Sequence, residues 1–354
     1  MARLRIVGSG PVALAFALFA TRQGFTPADI DLDLDDSPAP AALAQRVLAI
    51  SLGSWQLLSR VARPPQSAPI GAVDVWVQGH AGRTRITARE SDAPALGYVL
   101  RYGALLEALR GAAQAQGLGR APDTGAAPAV VVHAEGDTGA DAAVLEFEQA
   151  ALLAEVSVAD EHGSIAFECF TAHGPLALLP LPEPRRYSLV WCATPAESAR
   201  RAALEPSALA AELLAEFGWA LGAIRIEGTP LVWPMARRAR RRLVEGNEVW
   251  VGNAAQALHP VAGQGLNLGI RDAFLLAHVL GEAVAGRRNL ELALETYLKR
   301  RRLDRGGTIA LTDALARLFS LAPLRPLQSI AIAGLDAAPA VRHGLARQFM
   351  FGLR

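Results

Sequence analysis

The sequence predicts an α/β chain with a Rossmann-like first domain, a second domain built on an antiparallel sheet, and a helical carboxyl-terminal tail. Three observations carry this prediction. A short apolar run, Leu4–Val7, leads through a glycine turn into a helical pattern over Val12–Thr21. Apolar residues then alternate with polar ones in several runs between Leu152 and Cys192. A buried-strand pattern at Glu248–Val251 enters a second glycine-rich turn, after which Leu266–Val284 and Leu290–Arg305 read as helices.

Each element has a local reason. After Gly24, the alternation Ile30, Leu32, Leu34 predicts a strand that ends in Asp35-Asp36 and is closed by Ser37-Pro38, completing a βαβ outline. Pro64, Pro65 and Pro69 mark a linker before a strand through Val73, Val75 and Val77, and Tyr98–Ala113 reads as the approach to a helix and the helix itself. The Gly/Ala/Pro-rich stretch Gly117–Pro128 carries no pattern. Strands are predicted at Leu153–Val156, Ile165–Phe170, Leu176–Leu179 and Tyr187–Cys192, with a turn at Pro182-Glu183-Pro184 and an amphipathic helix over Ser207–Leu221. The tail places Leu311, Leu315, Leu318 and Phe319 at helical spacing, then Pro323 and Pro326, then Phe349-Met350-Phe351.

Composition narrows the function. The 354 residues amount to about two domains, and 51% hydrophobic residues are ample for packed cores. With 35 Lys+Arg against 34 Asp+Glu, the net charge of +1 provides no global field toward nucleic acid. Lys299 is the only lysine, so arginine content reflects a composition bias across the chain. The apolar stretch Val12–Ala20 is far short of the roughly 20 residues of a membrane span, and no signal peptide is read. Cys169 and Cys192 have no metal-ligand spacing and fit a reducing compartment, so the expected location is cytoplasmic, with contact at the inner membrane surface as a further expectation.

Two turns carry the chemistry. Gly8-Ser9-Gly10-Pro11-Val12-Ala13 is G-x-G-x-x-A between a strand and a helix. Gly8 permits the tight turn, Gly10 lets backbone approach a pyrophosphate, and Ala13 permits close helix packing, with the positive helix end facing the phosphates. Asp35 is the candidate for the ribose hydroxyls, with Asp33 or Asp36 as alternatives, and the motif alone does not separate FAD from NAD. The second run extends from Val251-Gly252-Asn253 through His259-Pro260 to Gly263-Gln264-Gly265-Leu266-Asn267 and Asp272. Its backbone amides and helix end suit the electron-rich pyrimidine edge of a reduced flavin.

This second run resembles the FAD-binding motif of the class A flavoprotein monooxygenases, the p-hydroxybenzoate hydroxylase fold, and most closely their ubiquinone-biosynthesis branch. Gln45–Ser51, Leu96–Arg101, Phe147–Leu152 and Gly174–Pro180 resemble further family segments, so the likeness covers nearly the whole chain. It implies an FAD-binding domain of that type at 1–70, 96–140 and 228–305, an inserted substrate domain at 71–95 and 141–227, and a helical segment at 306–354. It implies that Gly8, Gly10, Pro11, Ala13, Asp35 and Arg46 serve the ADP half and that Arg101 lies near the cofactor. Gly252 would be among the cofactor-binding residues, Asn253 would face the ribityl chain, Pro260 would border the flavin, and Gly263, Gln264, Gly265, Leu266 and Asn267 would surround its ring. The implied activity is hydroxylation of a polyprenylphenol: NADPH or NADH reduces FAD, O₂ adds to give a flavin hydroperoxide, and its distal oxygen passes to the ring. A ubiquinone-biosynthesis complex and a peripheral membrane contact are the implied partners.

The chain departs from the family where an Asp-Gly segment normally serves FAD and the nicotinamide. Glu135-Gly136 is a longer substitute there, or Asp137 a shifted one, and the region Gly111–Pro128 is shorter than in relatives. The alternatives are therefore an FAD-binding accessory subunit without catalysis, or a flavin dehydrogenase that inserts no oxygen. His259 reads as a loop-shaping residue, with acid–base work as the alternative. His80, His133, His162, His173, His278 and His343 show no ligand spacing, so no metal is expected. Ser51, Ser54 and Ser59 lack a nucleophile elbow. Arg237, Arg238, Arg240, Arg241 and Arg242 read as a solvated hairpin edge, with an anionic lipid or phosphate as the alternative. The apolar tail reads as helix packing, with an access route for a prenyl chain at Phe349 and Phe351 as the alternative.

Overall fold

The computed structural model describes residues 3–35, 37–121, 127–139, 141–218, 221–258, 263–318 and 322–352. The first βαβ outline forms from β1 (Leu4–Val7), α1 (Pro11–Arg22) and β2 (Ile30–Leu32). Next come α2 (Ala41–Ala44), β3 (Val47–Ser51), α3 (Leu52–Leu58), β4 (Ala68–Ile70), β5 (Ala72–Val77), β6 (Arg83–Thr87), β7 (Gly97–Arg101), α4 (Tyr102–Ala115) and β8 (Val130–His133). The middle of the chain supplies β9 (Ala142–Val158), β10 (Ile165–Phe170), β11 (Pro175–Pro180), β12 (Arg186–Ala193), α5 (Pro195–Ala202), α6 (Pro206–Phe217) and β13 (Ile224–Arg240). The remainder is β14 (Val244–Glu245), β15 (Glu248–Trp250), β16 (Gln256–Ala257), α7 (Gln264–Val284), α8 (Leu290–Leu318), α9 (Arg325–Asp336) and α10 (Pro339–Phe351).

Three distant chain segments build the first sheet, in the order β14-β15-β8-β1-β2. Its β15, β8, β1 and β2 run parallel, with Ile6 beside both Leu32 and Val132. Parallel strands need cover on both faces, and α1 provides it on one: every residue from Pro11 to Ala20 is buried, packed against α4 and α7. That full burial is why the helix is apolar on every side rather than striped. The second sheet runs β16-β13-β9-β12-β11-β10-β5-β6 and is antiparallel except where β5, arriving from early in the chain, lies parallel to β10. Its outer face is buried under α5 and α6 by Leu152, Phe167, Leu178, Tyr187 and Trp191 among others. A small antiparallel sheet, β3-β7-β4, lies between the two.

Several boundaries differ from the sequence expectation. β2 stops at Leu32, and the exposed Asp33 that follows pairs with Arg120. The sheet domain does not stop near residue 228: β13 continues to Arg240, pairing with β9 as far as Ala142. One helix, α8, runs through Gly306 and Gly307, since Arg301, Asp304, Thr308 and Thr312 bury a continuous polar stripe on both sides of that pair. The arginine cluster is only partly solvated, because Arg237 pairs with Asp313 at 3.1 Å and Arg240 lies 4.0 Å over the Trp250 ring. The tail is packed at the end where an access route was the alternative: Met350 is buried and Phe351 lies against Leu52 and Gly53. Leu318, Leu327, Ile330 and Val341 are exposed apolar residues of the tail instead, and Phe319 lies outside the described residues.

A buried ionic network ties α7 to α8 beneath the second glycine turn. Asp272 accepts from the Gly252 amide at 3.2 Å and from Gln256 Nε2 at 2.7 Å, while Arg301 Nε approaches its other oxygen at 2.5 Å. Arg301 also reaches Asp304, which Arg271 holds at 2.8 Å. Burial acts to raise the Asp304 carboxyl, but the facing Arg271 and Arg301 outweigh it and hold the group below the ordinary carboxylate range. Removing one member leaves its partner charged, buried and uncompensated. Asp272→Asn is expected to destabilise the protein by about 3–5 kcal/mol, read as a lowered urea midpoint; an unchanged midpoint would show that the network contributes no net stability.

Candidate flavin and substrate site

The first turn is shaped by two glycines with different duties. Gly8 has φ +117°, and a Cβ there would sit 2.8 Å from the Ala134 carbonyl, because the exit of β8 crosses directly over the turn. Gly10 caps α1 in an extended conformation, with Pro11 at the first helical position where its missing N–H costs nothing. A Cβ at Gly10 would meet only the Tyr102 hydroxyl, at 3.7 Å, so the space over the helix end is open. The uncapped amides of that end lie at the carboxyl edge of the parallel strands, where such sheets bind anions. Ala13 is buried against its neighbours. Asp35 is exposed three residues past β2 and accepts from Ser37, which holds its carboxyl below the ordinary range. Asp33 is instead forked by Arg120, and Asp36 lies outside the described residues.

The second turn repeats the division. Gly252 has φ +61°, a Cβ there would meet the Val12 side chain of α1 at 3.0 Å, and a Cβ on Gly269 would come within 2.9 Å of Gly252 Cα. Gly263, at φ +58°, caps α7 in the left-handed region, close to Ala49. Gly265 has open space where a side chain would go, and Asn253 is exposed beside the turn. Gln264 is buried and Leu266 half-buried in the first turn of α7. Pro260 lies outside the described residues, as does His259. Asn267 is 2% exposed, its Oδ1 accepts from the Ser51 amide, and its Nδ2 donates to the Ala49 and Gly263 carbonyls. It therefore clamps β3 onto the start of α7.

Arg46 and Arg101 stand at paired ends of β3 and β7, and they part company. Arg46 lies 5.7 Å over the exposed Trp233 ring of β13 and has no carboxylate partner among the described residues. Arg101 was expected near the cofactor, but its guanidinium is taken by Glu155 of the sheet and by Glu183 at 3.6 Å. Those carboxylates raise its already high pKa, the hydrogen bond to Glu155 contributing most. The arginine thus joins the two domains. The sheet face it meets carries an in-register row, Val75, Glu168, Ala177, Val190, Leu153 and Leu231. Cys192 lies on the same face, a buried thiol with its pKa pushed far up by desolvation and so unreactive.

The Glu135-Gly136 segment leaves β8 over Gly8. Glu135 is turned to His133 Nδ1 at 3.1 Å, and Glu248 meets the other ring nitrogen at 3.3 Å, with Trp250 stacked on the imidazole. Asp137 accepts from Gly139 and lies 3.8 Å from Arg238. A separate cavity lined by Leu4, Phe25, Val130 and Leu280 lies at the opposite, amino edge of the parallel strands. Among the described residues no group of three His, Cys, Asp or Glu could hold a metal ion.

The open and tight glycines predict different phenotypes. Gly10→Val and Gly265→Val are expected to leave the fold intact, with far-ultraviolet circular dichroism unchanged, while lowering FAD retention through gel filtration at least tenfold. Gly8→Val is expected to lose soluble protein altogether, and a well-folded Gly8→Val protein would contradict this assignment.

Residues 126–307, more than half of the chain, match the FAD binding domain family. The ubiquinone hydroxylase UbiL of Rhodospirillum rubrum is 29% identical over 400 residues, covering 100% of this chain and 90% of the relative. The 3-demethoxyubiquinol 3-hydroxylase of Escherichia coli K12 is 28% identical, covering 99% and 98%. Among solved structures, p-nitrophenol 4-monooxygenase PnpA from Pseudomonas putida DLL-E4 superposes with TM-score 0.73 at 16% identity, covering 100% and 99%. HpxO of Klebsiella pneumoniae, complexed with FAD, gives TM-score 0.74 at 14% identity, covering 99% of each chain. The chain belongs to the FAD binding domain family and has the fold of the class A flavoprotein monooxygenases.

Proposed function

We propose that the chain is an FAD-dependent hydroxylase of the aromatic ring of a prenylated phenol in ubiquinone biosynthesis, with NADPH or NADH as reductant and O₂ as co-substrate. The observation that carries this reading is the pair of open helix ends, at Gly10 and Gly265, held together by the close crossing of α1 and α7. The two full-length relatives, both named as hydroxylases of ubiquinone or its precursor, support the substrate class. FAD, when bound, supplies the two-electron chemistry and the activation of oxygen. The amides of the α1 end would receive its pyrophosphate, Asp35 its ribose, and Arg46 its negative charge. The α7 end would face the electron-rich edge of the ring. The apolar sheet face would hold the phenol and exclude water from it.

No helix among the described residues is long and apolar enough to cross a membrane. The exposed Leu327 and Ile330 on α9, at 63% and 68%, support a peripheral contact through which a prenyl chain reaches the site.

One feature favours a second reading, an FAD-binding accessory subunit: Glu135, standing where relatives carry Asp-Gly, is occupied by His133. Anaerobic mixing with NADPH separates the two. The hydroxylase reading expects the bound flavin to bleach, and expects labelled oxygen from O₂ to enter a prenylphenol on aeration. A flavin that stays oxidised with and without the phenol supports the accessory reading. Bleaching without incorporation of label identifies a dehydrogenase.

A further inference from the structure

We propose that Glu168 is the acid–base residue that holds the hydroxyl of the phenol and exchanges its proton, an inference that rests on the hydroxylase reading above. Glu168 occupies the middle of β10 and is the single charged member of its row across six strands, with Val75 and Ala177 as its paired neighbours and Val190, Leu153 and Leu231 beyond. It shares its face with Glu155, whose carboxylate reaches Arg101 of the flavin domain, so the row fronts that domain.

Along its own strand, Glu168 stands between two covered positions. Ala166 packs with Ile70, Val99 and Leu181, against the strands that flank the flavin domain. Phe170 packs with Val77 and Ile332, under the carboxyl-terminal helices. Glu168 is half-buried in the gap between them, and among the described residues its carboxyl has neither a hydrogen bond nor an ion pair. An acceptor in that setting is costly unless a ligand donates to it, and a phenol hydroxyl is a donor attached to an apolar ring. Burial pushes the carboxyl up to about 7, where it both takes and returns a proton near neutrality.

The charged groups on surrounding elements leave this balance to Glu168. Arg101 of β7 is neutralised by Glu155 and Glu183, Arg237 of β13 by Asp313 of α8, and Arg325 of α9 is held by Gln78. Asp74 of β5 is forked by Arg83 and Arg85 of β6. Cys192 of β12 stays a neutral thiol.

The step balances without a further reactant. As the ring takes up the incoming oxygen atom, the phenol O–H bond breaks and its proton bonds to Glu168, leaving a ring carbonyl. When the ring carbon then loses its hydrogen as a proton to water and the C–H electron pair restores aromaticity, Glu168 gives its proton back to the oxygen. The carboxylate is regenerated, and Glu168 neither gains nor loses electrons.

The test uses the oxidised FAD-loaded full chain with a methoxyphenol, whose hydroxyl stays protonated well below pH 10 or so. Binding is read from the perturbation of flavin absorbance, without reductant. Wild-type affinity is expected to rise about tenfold between about pH 6 and about pH 8 as Glu168 ionises. Glu168→Gln is expected to bind more weakly with no pH step, and to lower kcat for hydroxylation by about a hundredfold or more. Glu168→Asp keeps a carboxylate and is expected to retain the pH step, which covers the case of a glutamine variant that fails to fold. A pH-independent wild-type affinity, the wild-type curve in Glu168→Gln, or no phenol binding at all overturns the proposal. A wild-type protein that shows the pH step but never hydroxylates sinks the hydroxylase reading while leaving the phenol-binding role of Glu168 in place.

Discussion

Everything at the site depends on one close approach. A Cβ at Gly252 would meet the Val12 side chain of α1 at 3.0 Å, and one at Gly269 of α7 would meet Gly252 Cα at 2.9 Å, so two helices far apart in sequence cross with the Val12 side chain and the Gly252 backbone packed between them. A methyl group at either glycine would part them by a distance that the neighbouring backbone has no room to give. The helix ends concerned are the ones left open at Gly10 and Gly265. Bringing the two positive ends to one side of the parallel sheet is what makes a long anionic dinucleotide a fitting ligand, where one end alone would suit any small anion.

Holding that crossing requires charge where burial makes charge expensive. Asp272 fixes the Gly252 amide from below, and Arg301, Asp304 and Arg271 compensate it in turn. A network of this kind contributes little net stability over well-packed apolar residues, yet it defines one register for α7 against α8. Arg305 extends the same logic by donating to Gln256 and to the Arg240 carbonyl, so the turn, the helix pair and the end of β13 share a single set of bonds. The two domains are joined with the same economy: Arg101 to Glu155, and Arg46 over Trp233.

The glycine turns were legible in the sequence because their chemistry is local: strand, glycines and helix start within a dozen residues. The strands from Ile165 to Cys192 were legible for the same reason, since their alternation reports one buried face. What stayed hidden is set by partners distant in the chain. Nothing local to Asn267 shows that it bonds the Ser51 amide, 216 residues earlier. Arg101 reads from the sequence as a residue near the cofactor, and its pairing with Glu155 and Glu183, 54 and 82 residues later, is invisible there. Glu168 gave no signal, because one glutamate in an apolar strand looks the same whether it faces open solvent or is half-buried between packed neighbours. The arginines at 237 and 240 read as surface by composition, and only the approach of Asp313 and Trp250 draws them in.

The last two helices fasten onto the early part of the chain. Ser329 accepts from the Gly82 amide, Thr84 donates to Asp336, Arg342 reaches Glu90, and Phe351 lies on Gly53. Contacts of such long sequence separation form slowly, and during synthesis they wait until some 250 intervening residues have left the ribosome. Until then β5 and β6 lack the cover that α9 gives them, and the apolar face at Val77 and Phe170, which Ile332 buries, is exposed to other nascent chains. Translation speed and chaperone access are therefore levers on the yield of active protein that act before any cofactor is bound.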